Sequence, residues 1–297
     1  MEATDLMQAT RLVPILWNRY NEERRRSVAA APHRPHPEVW PVTGLHAAWL
    51  GHSTVLLQID GFRILTDPVF SERIGIGLGP VTLGIKRLVM PALESAEVPQ
   101  PDLILLSHAH MDHFDLPSLR ALESQQTRIV TASKTADLLR EKRYRDVDEL
   151  AWGETAQVGD VLVRAFEVRH WGARMRSDTY RGYNGYVIET PRYRVLFAGD
   201  TALADTFGAL RSRRGFDLAI MPIGAYNPWI RAHCSPEQAL KMANDAGAER
   251  ILPVHHQTFQ LSSEPVIEPI ERLSAALVRD PERLALTEIG QEISVER

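Results

Sequence analysis

Four side chains able to bind a metal ion stand within six residues, directly behind an apolar run. The run Leu103–Leu106 leads into Ser107-His108-Ala109-His110-Met111-Asp112-His113. Imidazole nitrogens and carboxylate oxygens are ligands that zinc accepts readily. A lone histidine is more often a structural residue, but four such donors can direct two imidazoles at one ion and a carboxylate with an imidazole at a second. The segment therefore predicts a metal-binding loop at the end of a strand.

Three more candidate ligands lie far along the chain, each just past the end of a predicted strand. These are His170 after Val161–Val168, Asp200 after Arg194–Ala198 and His255 after Arg250–Val254. Open α/β sheets build their sites outside the carboxyl ends of their strands. We therefore expect these three side chains to meet the four-ligand loop.

Short apolar runs rich in β-branched residues recur after Pro41, separated by turns and helical stretches. The predicted strands are His46–Trp49, Thr54–Ile59, Arg63–Thr66, Leu103–Ser107, Arg128–Thr131, Val161–Val168, Gly185–Glu189, Arg194–Ala198, Leu218–Pro222 and Arg250–Val254. The predicted helices are Leu116–Leu122, Lys134–Lys142, Pro236–Ala246 and Glu268–Arg279. Since no linker is evident after residue 45, residues 46–297 are predicted to form a single domain.

Residues 1–45 are predicted to form an N-terminal helical arm and linker. The pattern predicts a helix from about Asp5 to Ala31, with Leu16 and Trp17 in its apolar stripe and a kink at Pro14. The Pro-rich stretch His33–Pro41 follows as the linker. The favoured interpretation is an arm packed on its own domain or on a partner subunit. The alternative is peripheral contact with a membrane, because apolar aromatics beside the arginines at positions 24–26 suit an anionic surface.

The composition is that of an ordinary globular protein. The chain has 297 residues with a net charge of −4, which argues against a protein that wraps nucleic acid over a broad surface. A single cysteine, Cys234, cannot form a disulfide within the chain, and this favours a reducing compartment. No apolar run approaches the roughly 18–20 residues that span a bilayer, and the acidic start is unlike a signal peptide. A cytoplasmic location is expected.

The spaced ligands and several neighbouring motifs resemble the metallo-β-lactamase superfamily. More narrowly, the chain is similar to the family of N-acyl-phosphatidylethanolamine-hydrolysing phospholipase D and its bacterial relatives. The matching stretches cover residues 46 to about 262: Trp49–Val55, Leu65–Arg73, the His108 segment, His170-Trp171, Phe197–Thr201, Pro222–Tyr226, His233, Pro236-Glu237 and Thr258-Phe259. The chain departs from the phospholipase at His256-Gln257, where that family has Trp-Gly.

The resemblance implies a four-layer αββα sandwich of the α+β class, with two mixed sheets face to face and helices outside. It also implies the ligand sets: His108, His110 and His170 for a first metal, Asp112, His113 and His255 for a second, and Asp200 bridging both. Two zinc ions are expected, although these donors also suit iron and manganese. Neighbouring residues on an extended chain point in opposite directions, so only one of His255 and His256 should face the metals. The family's spacing selects His255.

Two metals that share one hydroxide hold a nucleophile ready near neutral pH, so no serine or cysteine nucleophile is required. Asp112 is expected both to bind metal and to orient this hydroxide. The resemblance implies that Asp67 supports a ligand from behind, as carboxylates often do for metal-bound imidazoles. A turn-stabilising aspartate before Pro68 is the alternative. His52 is expected to have a structural or supporting role.

The remaining candidates concern the substrate. By the same resemblance, His233 lies near the substrate and could protonate a leaving group, and the nearby Tyr226 is expected to contact the substrate. Four arginines cluster around His170: Arg169, Arg174, Arg176 and Arg181. Arg174 and Arg181 are the candidates for binding an anionic substrate, and a solvated charged loop is the alternative.

The leading prediction is a hydrolase of a phosphodiester or phospholipid-like ester, with a small-molecule or lipid-like substrate and no nucleic-acid partner. The first alternative is a lactonase or other carboxylic-ester hydrolase with the same metal centre. A tRNA-processing nuclease should carry a protruding basic arm, and a non-catalytic scaffold should have lost ligands. An oxygen-reducing diiron protein usually needs a flavin-binding domain. Dimers are common in the resembled family, so a homodimer is expected.

Overall fold

Two β-sheets supply the strands that position the candidate ligands. The computed structural model describes residues 20–21, 23–78 and 81–295. In chain order the strands are β1 Leu45–Gly51, β2 Thr54–Ile59, β3 Phe62–Thr66, β4 Arg73–Leu78, β5 Val81–Lys86, β6 Leu103–Leu106, β7 Arg128–Ala132, β8 Asp146–Leu150, β9 Thr155–Val158, β10 Val161–Phe166, β11 Gly185–Glu189, β12 Arg194–Phe197, β13 Phe216–Pro222, β14 Ala248–Val254 and β15 Glu292–Val295. The α-helices are α1 Leu116–Ala121, α2 Thr206–Ala209, α3 Pro236–Ala246 and α4 Glu268–Ala276.

The first sheet has seven strands in the order β15-β1-β2-β3-β6-β7-β8, and the second has six in the order β14-β13-β12-β11-β10-β9. Strands β3, β6, β7 and β8 are parallel, so the carboxyl end of β6 lies beside the carboxyl end of β3. In the second sheet β12, β13 and β14 are parallel and likewise end at one edge. This topology brings the residues that follow β3, β6, β12 and β14 to common edges.

Alternation along the central strands shows how the sheets pack. In β12, Val195 and Phe197 belong to a large core shared with strands of the first sheet. Leu196, between them, belongs to a second core with residues of α3 and α4, such as Met242 and Leu273. Because side chains alternate between the two faces of a strand, one face of the second sheet meets the other sheet and the opposite face meets the helices. The expected αββα sandwich is confirmed.

All ten predicted strands are present, with bounds that agree within two residues. The helix predicted at Pro236–Ala246 is observed with those bounds, and its start is fixed by a capping box between Ser235 and Gln238. The helices predicted at Leu116–Leu122 and Glu268–Arg279 are present but end earlier, at Ala121 and Ala276. Strands β4, β5, β8, β9 and β15 and the single-turn helix α2 were not predicted.

Two local predictions are wrong. The helix predicted at Lys134–Lys142 consists of two short 3-10 turns, Ala136–Leu138 and Glu141–Arg143, because the backbone of Leu139 between them is extended, with φ of −90° and ψ of 160°. The segment Ile74–Glu94, in which no strand or helix was predicted, begins with the hairpin of β4 and β5.

Most of the predicted N-terminal helix lies outside the described residues. Within the described part, residues 20, 21 and 23 are helical, but the chain from Ser27 to Ala31 is not. Ala29 instead forms a bridge with Val89, and its carbonyl accepts from the backbone N–H of Met90. The helix prediction is therefore wrong for residues 27–31, because this backbone pairs with the chain that follows β5. Across the residues described, no helix has the length and apolar character that crossing a bilayer requires.

Candidate metal centre

The four-ligand loop follows β6 and ends at α1, and it brings its first two histidines together. His108 Nε2 and His110 Nδ1 are 2.8 Å apart. His170, which follows β10 in the other sheet, places its Nε2 3.3 Å from the same His110 nitrogen. These three side chains form a group whose nitrogen atoms all lie within 4.8 Å of one another. The structure thus assembles the three ligands expected for the first metal.

A second group contains Asp112, His113 and His255. Asp112 Oδ2 lies 3.6 Å from His113 Nε2 and 3.5 Å from His255 Nε2. His52 joins the group, because its Nε2 lies 3.2 Å from the same carboxylate oxygen. The three side chains expected for the second metal therefore meet, and a third imidazole, that of His52, contacts the carboxylate of Asp112.

Asp200 lies between the two groups. Its Oδ2 is 3.1 Å from both His113 Nε2 and His255 Nε2, and 3.8 Å from His170 Nε2. Asp200 reaches this position because Gly199, with φ of 58°, packs against Ser107, where a Cβ would come within 2.7 Å of the Ser107 Cβ. A carboxylate oxygen close to imidazoles of both groups suits the expected bridging role.

The inward-facing donor atoms lack the partners that buried polar groups normally have. Among the residues that the structure describes, His113 Nε2, His255 Nε2 and Asp200 Oδ1 are buried without a hydrogen-bond partner. Asp200 Oδ2 lies near both imidazoles, but not in hydrogen-bonding geometry. Nitrogen and oxygen donors that converge without satisfying one another fit a divalent metal ion. The chemistry of these donors therefore fits a metal site.

The outer nitrogens of three imidazoles are held from behind, so that each ring, when neutral, keeps Nε2 unprotonated. Burial opposes the charged form of His113, but Asp200 and Asp112 raise its pKa well above its usual value, so this ring must release a proton to bind metal. His170 Nδ1 donates to the carbonyl of Ala232 at 2.8 Å, and His113 Nδ1 donates to Asp67 Oδ2 at 2.7 Å. The Ser107 hydroxyl donates to Asp67 Oδ2, so its oxygen accepts from His108 Nδ1 at 2.8 Å. In a neutral imidazole only one nitrogen carries a proton, so each Nε2 keeps a lone pair for a metal. The contacts of Asp67 match its predicted supporting role.

The electrostatics keep the carboxylates ionised. Burial would raise the pKa of Asp200, but the nearby His113 and His255 hold this pKa well below its usual value. Burial acts in the same way on Asp112, where His113, His255 and His52 hold the pKa well below its usual value. Burial opposes the charged form of His255, but Asp200 and Asp112 raise its pKa to about 9. Metal binding at this imidazole would therefore release a proton.

His255 and the adjacent His256 point in opposite directions. His255 faces Asp112 and Asp200, whereas the buried His256 ring stacks on Trp49 with the ring centroids 4.5 Å apart. The expectation that only one of the pair faces the candidate centre agrees with this geometry. Burial lowers the pKa of His256 to about 3, so its ring is neutral.

Backbone strain is concentrated at the centre. His52, Asp67 and His255 have φ values of 51°, 31° and 63°, in a region that side-chain-bearing residues rarely adopt. Three backbone contacts hold His52: its N–H donates to Thr258 Oγ1, and its carbonyl accepts from the indole of Trp49 and the backbone N–H of His255. Burial lowers the pKa of His52 to about 3, so the neutral ring donates from Nε2 to Asp112. The side chain has the supporting position that was expected.

A cavity of about 240 Å³ opens onto the centre. It is lined by His110, Asp112, Trp171, Asp200, Ala225, Trp229, His233, His255 and Leu261. The two tryptophans are half exposed, at 45% for Trp171 and 53% for Trp229. His233 Nδ1 lies 3.7 Å from Asp200 Oδ2 and is buried without a hydrogen-bond partner in the described structure. The predicted histidine near the substrate is therefore in the cavity wall.

The other three predicted substrate contacts are not in the lining. The Tyr226 hydroxyl donates to Glu268 at 2.7 Å, so the ring faces α4. Arg181 donates from Nε to Asp178 at 2.7 Å and from Nη1 to the carbonyl of Lys134, which holds its own loop. Arg174 donates to backbone carbonyls of the four-ligand loop. In the structure these three side chains contact protein partners, and their assignment to substrate binding stays a prediction.

Sequence reasoning missed three residues that shape this cavity. Trp229 and Leu261 lie in irregular segments where no periodic pattern marks them. Glu264, which is 5% exposed, accepts from the backbone N–H groups of Tyr226 and Asn227 and so anchors the loop that carries Trp229. The burial of Glu264 is what distinguishes it, and the burial of an acidic residue between irregular segments cannot be read from the sequence.

Comparisons with known proteins agree with this geometry. A family model described as Beta-lactamase superfamily domain matches residues 62–256. The mitochondrial N-acyl-phosphatidylethanolamine-hydrolyzing phospholipase D of Saccharomyces cerevisiae is 35% identical over 242 residues, which cover 77% of this chain and 51% of the yeast protein. A metal-dependent hydrolase of Exiguobacterium sp. is 30% identical over 220 residues, which cover 72% of this chain and 87% of that protein.

Among solved structures, a metallo hydrolase from Ignicoccus hospitalis superposes with a TM-score of 0.64. The match covers 86% of this chain and 100% of that structure, at 21% sequence identity. At this level of identity the likeness concerns the fold alone.

Proposed function

The chain belongs to the metallo-β-lactamase superfamily of metal-dependent hydrolases, and from this premise we propose that it hydrolyses phosphodiesters with an apolar substituent, such as phospholipids, at a centre of two zinc ions. The observation that carries the proposal is the position of Asp200 Oδ2 between two groups of donors. The presence of Trp171 and Trp229 in the cavity wall supports the proposal of an apolar substituent.

Two ions are proposed because the donors separate into two sets of three around one shared carboxylate. His108, His110 and His170 would hold the first ion, and Asp112, His113 and His255 the second. Zinc is favoured because imidazole donors predominate, and zinc binds nitrogen ligands in sites with a place left for water. Iron and manganese would use the same residues, so the metal's identity is a matter for measurement.

When bound, divalent cations lower the pKa of a coordinated water towards 7 and stabilise negative charge on an attacked group. The chain's own residues prepare the surroundings. Asp112 faces the cavity, and the N–H of His52 fixes the orientation of its carboxylate. Burial lowers the pKa of His233 to about 4, so at neutral pH its ring carries one proton. His233 is thus proposed to donate a hydrogen bond to an oxygen of the substrate.

The substrate class is inferred from the cavity and from the yeast relative. Trp171, Trp229 and Leu261 give one side of the cavity an apolar, partly exposed surface beside the candidate metal ligands. Aromatic side chains with one exposed edge suit an amphipathic ligand. The yeast relative is described as a phospholipase D that hydrolyses N-acyl-phosphatidylethanolamine. A phosphodiester with acyl chains fits the apolar surface of the cavity and agrees with the described activity of the yeast relative.

The test compares hydrolysis of three substrate classes by the purified, zinc-loaded protein. The probes are a chromogenic phosphodiester, a diacyl phospholipid with an N-acylated ethanolamine head group in mixed micelles, and a panel of lactones. Metal content per chain is measured in the same preparation. We expect about two zinc ions per chain and the highest kcat/KM with the phospholipid.

The matched control is Asp112→Asn, which retains the size of the side chain but removes its charge. Phosphodiester turnover that persists unchanged in this variant would contradict the proposed centre. Efficient hydrolysis of lactones without phosphodiester turnover would instead favour the carboxylic-ester hydrolase. A protein that neither contains nor takes up metal would refute the function altogether.

A further inference from the structure

Arg174 reaches from the loop behind His170 into the turn that carries three candidate metal ligands. Its Nη1 donates to the carbonyl of Ala109 at 3.0 Å and to the carbonyl of Phe114 at 2.8 Å. We propose that Arg174 is a positioning residue that sets the spacing of the two metal sites by clamping both ends of this turn. The inference rests on the proposed metal centre and deepens it.

The turn between the two carbonyls contains His110, Asp112 and His113, and so includes ligands for both sites. Its internal support is limited: the backbone N–H groups of His113 and Phe114 share one acceptor, the carbonyl of His110, at 3.1 and 2.8 Å. The turn can therefore widen or narrow without breaking a regular ladder. A single guanidinium nitrogen that binds carbonyls on both sides fixes its width.

Arginine suits this task because its guanidinium is planar, carries five N–H donors and stays charged. Arg174 is partly buried, and burial lowers its pKa while the nearby Asp115 and Asp178 act in the opposite direction. Hydrogen bonds from a charged donor to carbonyl oxygens are stronger than neutral ones. A buried carbonyl that lost its donor would also carry a desolvation penalty.

The loop that carries Arg174 is itself held firmly. Asp178 accepts from the backbone N–H of Met175 at 2.6 Å and from Arg181 Nε at 2.7 Å. At its base Gly172 packs against the carbonyls of Arg181 and Gly182, where a Cβ would come within 2.3 Å of either oxygen. These contacts fix the backbone of the loop from which the Arg174 side chain extends.

The same loop begins two residues after His170, the ligand that the second sheet contributes to the first site. Arg174 thus joins the segment of His170 to the turn of His110, Asp112 and His113, which belongs to the first sheet. Its hydrogen bonds set the distance between ligands from the two sheets. This explains why Arg174, although close to His170 in the chain, contacts backbone carbonyls and does not line the cavity.

The test uses Arg174→Gln, which cannot span both carbonyls, and Arg174→Lys, which retains the charge and some hydrogen-bonding capacity. The matched control is Arg169→Gln, because Arg169 is an exposed arginine that also lies next to His170. Zinc affinity is measured by competition with a chromophoric chelator. The absorption spectrum of the cobalt-substituted protein reports coordination geometry, and urea unfolding of the metal-free variants reports the stability of the fold.

We expect Arg174→Gln to weaken zinc binding by about 10- to 100-fold and to alter the cobalt spectrum, in the range found for residues that orient metal ligands. Arg174→Lys should recover part of the affinity, and Arg169→Gln should remain within about twofold of the wild type, since it changes charge without touching the turn.

Wild-type affinity and an unchanged cobalt spectrum in Arg174→Gln would overturn the inference while leaving the metal centre intact. An equal loss of zinc affinity in Arg169→Gln would show that the effect comes from the removed charge, and this result would also overturn the inference. Failure of both the metal-free Gln and Lys variants to fold would show that Arg174 serves only the stability of the fold. A wild-type protein that binds neither zinc nor cobalt would refute the proposed function and this inference together.

Discussion

Asp67 fixes the tautomer of His113, so the exchange Asp67→Asn is a sharp test of the metal centre. Asp67 Oδ1 accepts from the backbone N–H of Ser107 at 2.7 Å. Its Oδ2 accepts from the Ser107 hydroxyl at 2.5 Å and from His113 Nδ1 at 2.7 Å. Because the carboxylate can only accept, a neutral His113, the form that binds a metal, carries its one proton on Nδ1 and keeps the lone pair of Nε2.

In the asparagine variant the amide oxygen should stay with the Ser107 backbone donor, so the amide NH2 group takes the place of Oδ2. An NH2 group can only donate, so it favours the tautomer in which His113 Nδ1 is the acceptor. The His113 proton then moves to Nε2, the atom 3.1 Å from Asp200 Oδ2. A proton at that position occupies the lone pair that a metal would use. The substitution therefore disables one ligand while the side chain keeps its size.

The magnitude follows from the hydrogen bond that is lost. Hydrogen bonds to charged groups contribute about 1.5–3 kcal/mol, and each 1.4 kcal/mol corresponds to about a tenfold change in an equilibrium constant. Zinc binding at the site of His113 should therefore weaken by about 10- to 150-fold. Binding at His108, His110 and His170 should weaken less, since Asp67 reaches His108 only through the Ser107 hydroxyl, whose oxygen can accept from both the new amide and His108 Nδ1.

The assay is stepwise zinc titration against a chromophoric chelator, with metal content checked on the same samples. Ser107→Ala is the matched control, because it removes the hydroxyl that supports His108 and leaves the Asp67–His113 contact in place. We expect the two variants to weaken different binding steps. Two zinc ions bound with wild-type affinity by Asp67→Asn would refute the tautomer argument, and so would a loss explained entirely by unfolding of the metal-free chain.

Three further predictions follow from the site. Asp112→Asn should lower turnover at saturating metal by at least about 100-fold, because the amide weakens both metal binding and the orientation of water; initial rates close to those of the wild type would contradict this. Replacing Trp171 and Trp229 together by Ala should raise KM for a long-chain phosphodiester by about 10- to 100-fold, since covering the exposed half of each ring contributes about half of the 1.5–3 kcal/mol that full burial gives; an equal change for a short soluble diester would argue against an apolar subsite. His256→Phe, which retains the stacking on Trp49, should remove an acid-sensitive contribution to stability. The pKa of His256 falls from 6.5 to about 3 on folding, so this contribution to stability is present above pH 6.5 and is lost as the pH falls towards 3. Urea unfolding of the metal-free protein at pH 7.5 and at pH 5 measures the effect. Between these two pH values the free energy of unfolding of the wild type should fall by about 2 kcal/mol more than that of the variant.

The sequence predicted the ligands of the centre better than it predicted their surroundings. His170, Asp200 and His255 could be found because each follows a strand with a strong apolar pattern, and parallel strands end at one edge of a sheet. Strands β12 and β14 end in buried apolar stretches that lead directly to Asp200 and His255, a pattern typical of parallel strands covered on both faces. Those positions depend on topology alone, so pattern and spacing were sufficient.

The direction of individual side chains in loops was not predictable in the same way. Arg174 and Arg181 were expected to bind an anion because they lie near His170 in the chain, but their guanidinium groups find carbonyl and carboxylate partners inside the protein. Tyr226 was expected at the substrate, yet its hydroxyl donates to Glu268 in a helix 42 residues further on. Such contacts depend on the meeting of distant segments, which no local pattern encodes. The helix predicted at Lys134–Lys142 is interrupted by the extended backbone of Leu139, which the local pattern did not mark.

The division of the centre between the two sheets links metal binding to the packing of the sandwich. The four-ligand loop and Asp67 belong to the first sheet, whereas His170, Asp200 and His255 follow strands of the second. Donor atoms such as His113 Nε2 and Asp200 Oδ1 are buried without partners, which is unfavourable for the metal-free chain. An ion bound between the sheets would satisfy these atoms only when both sheets are packed, so it would stabilise the folded state and not the unfolded one. Part of the cavity wall belongs to this framework, because four of the candidate ligands line it, whereas Trp171 and Trp229 lie on loops. Under the proposed function, the framework would hold the ions that activate water, and the loops would select which ester reaches them.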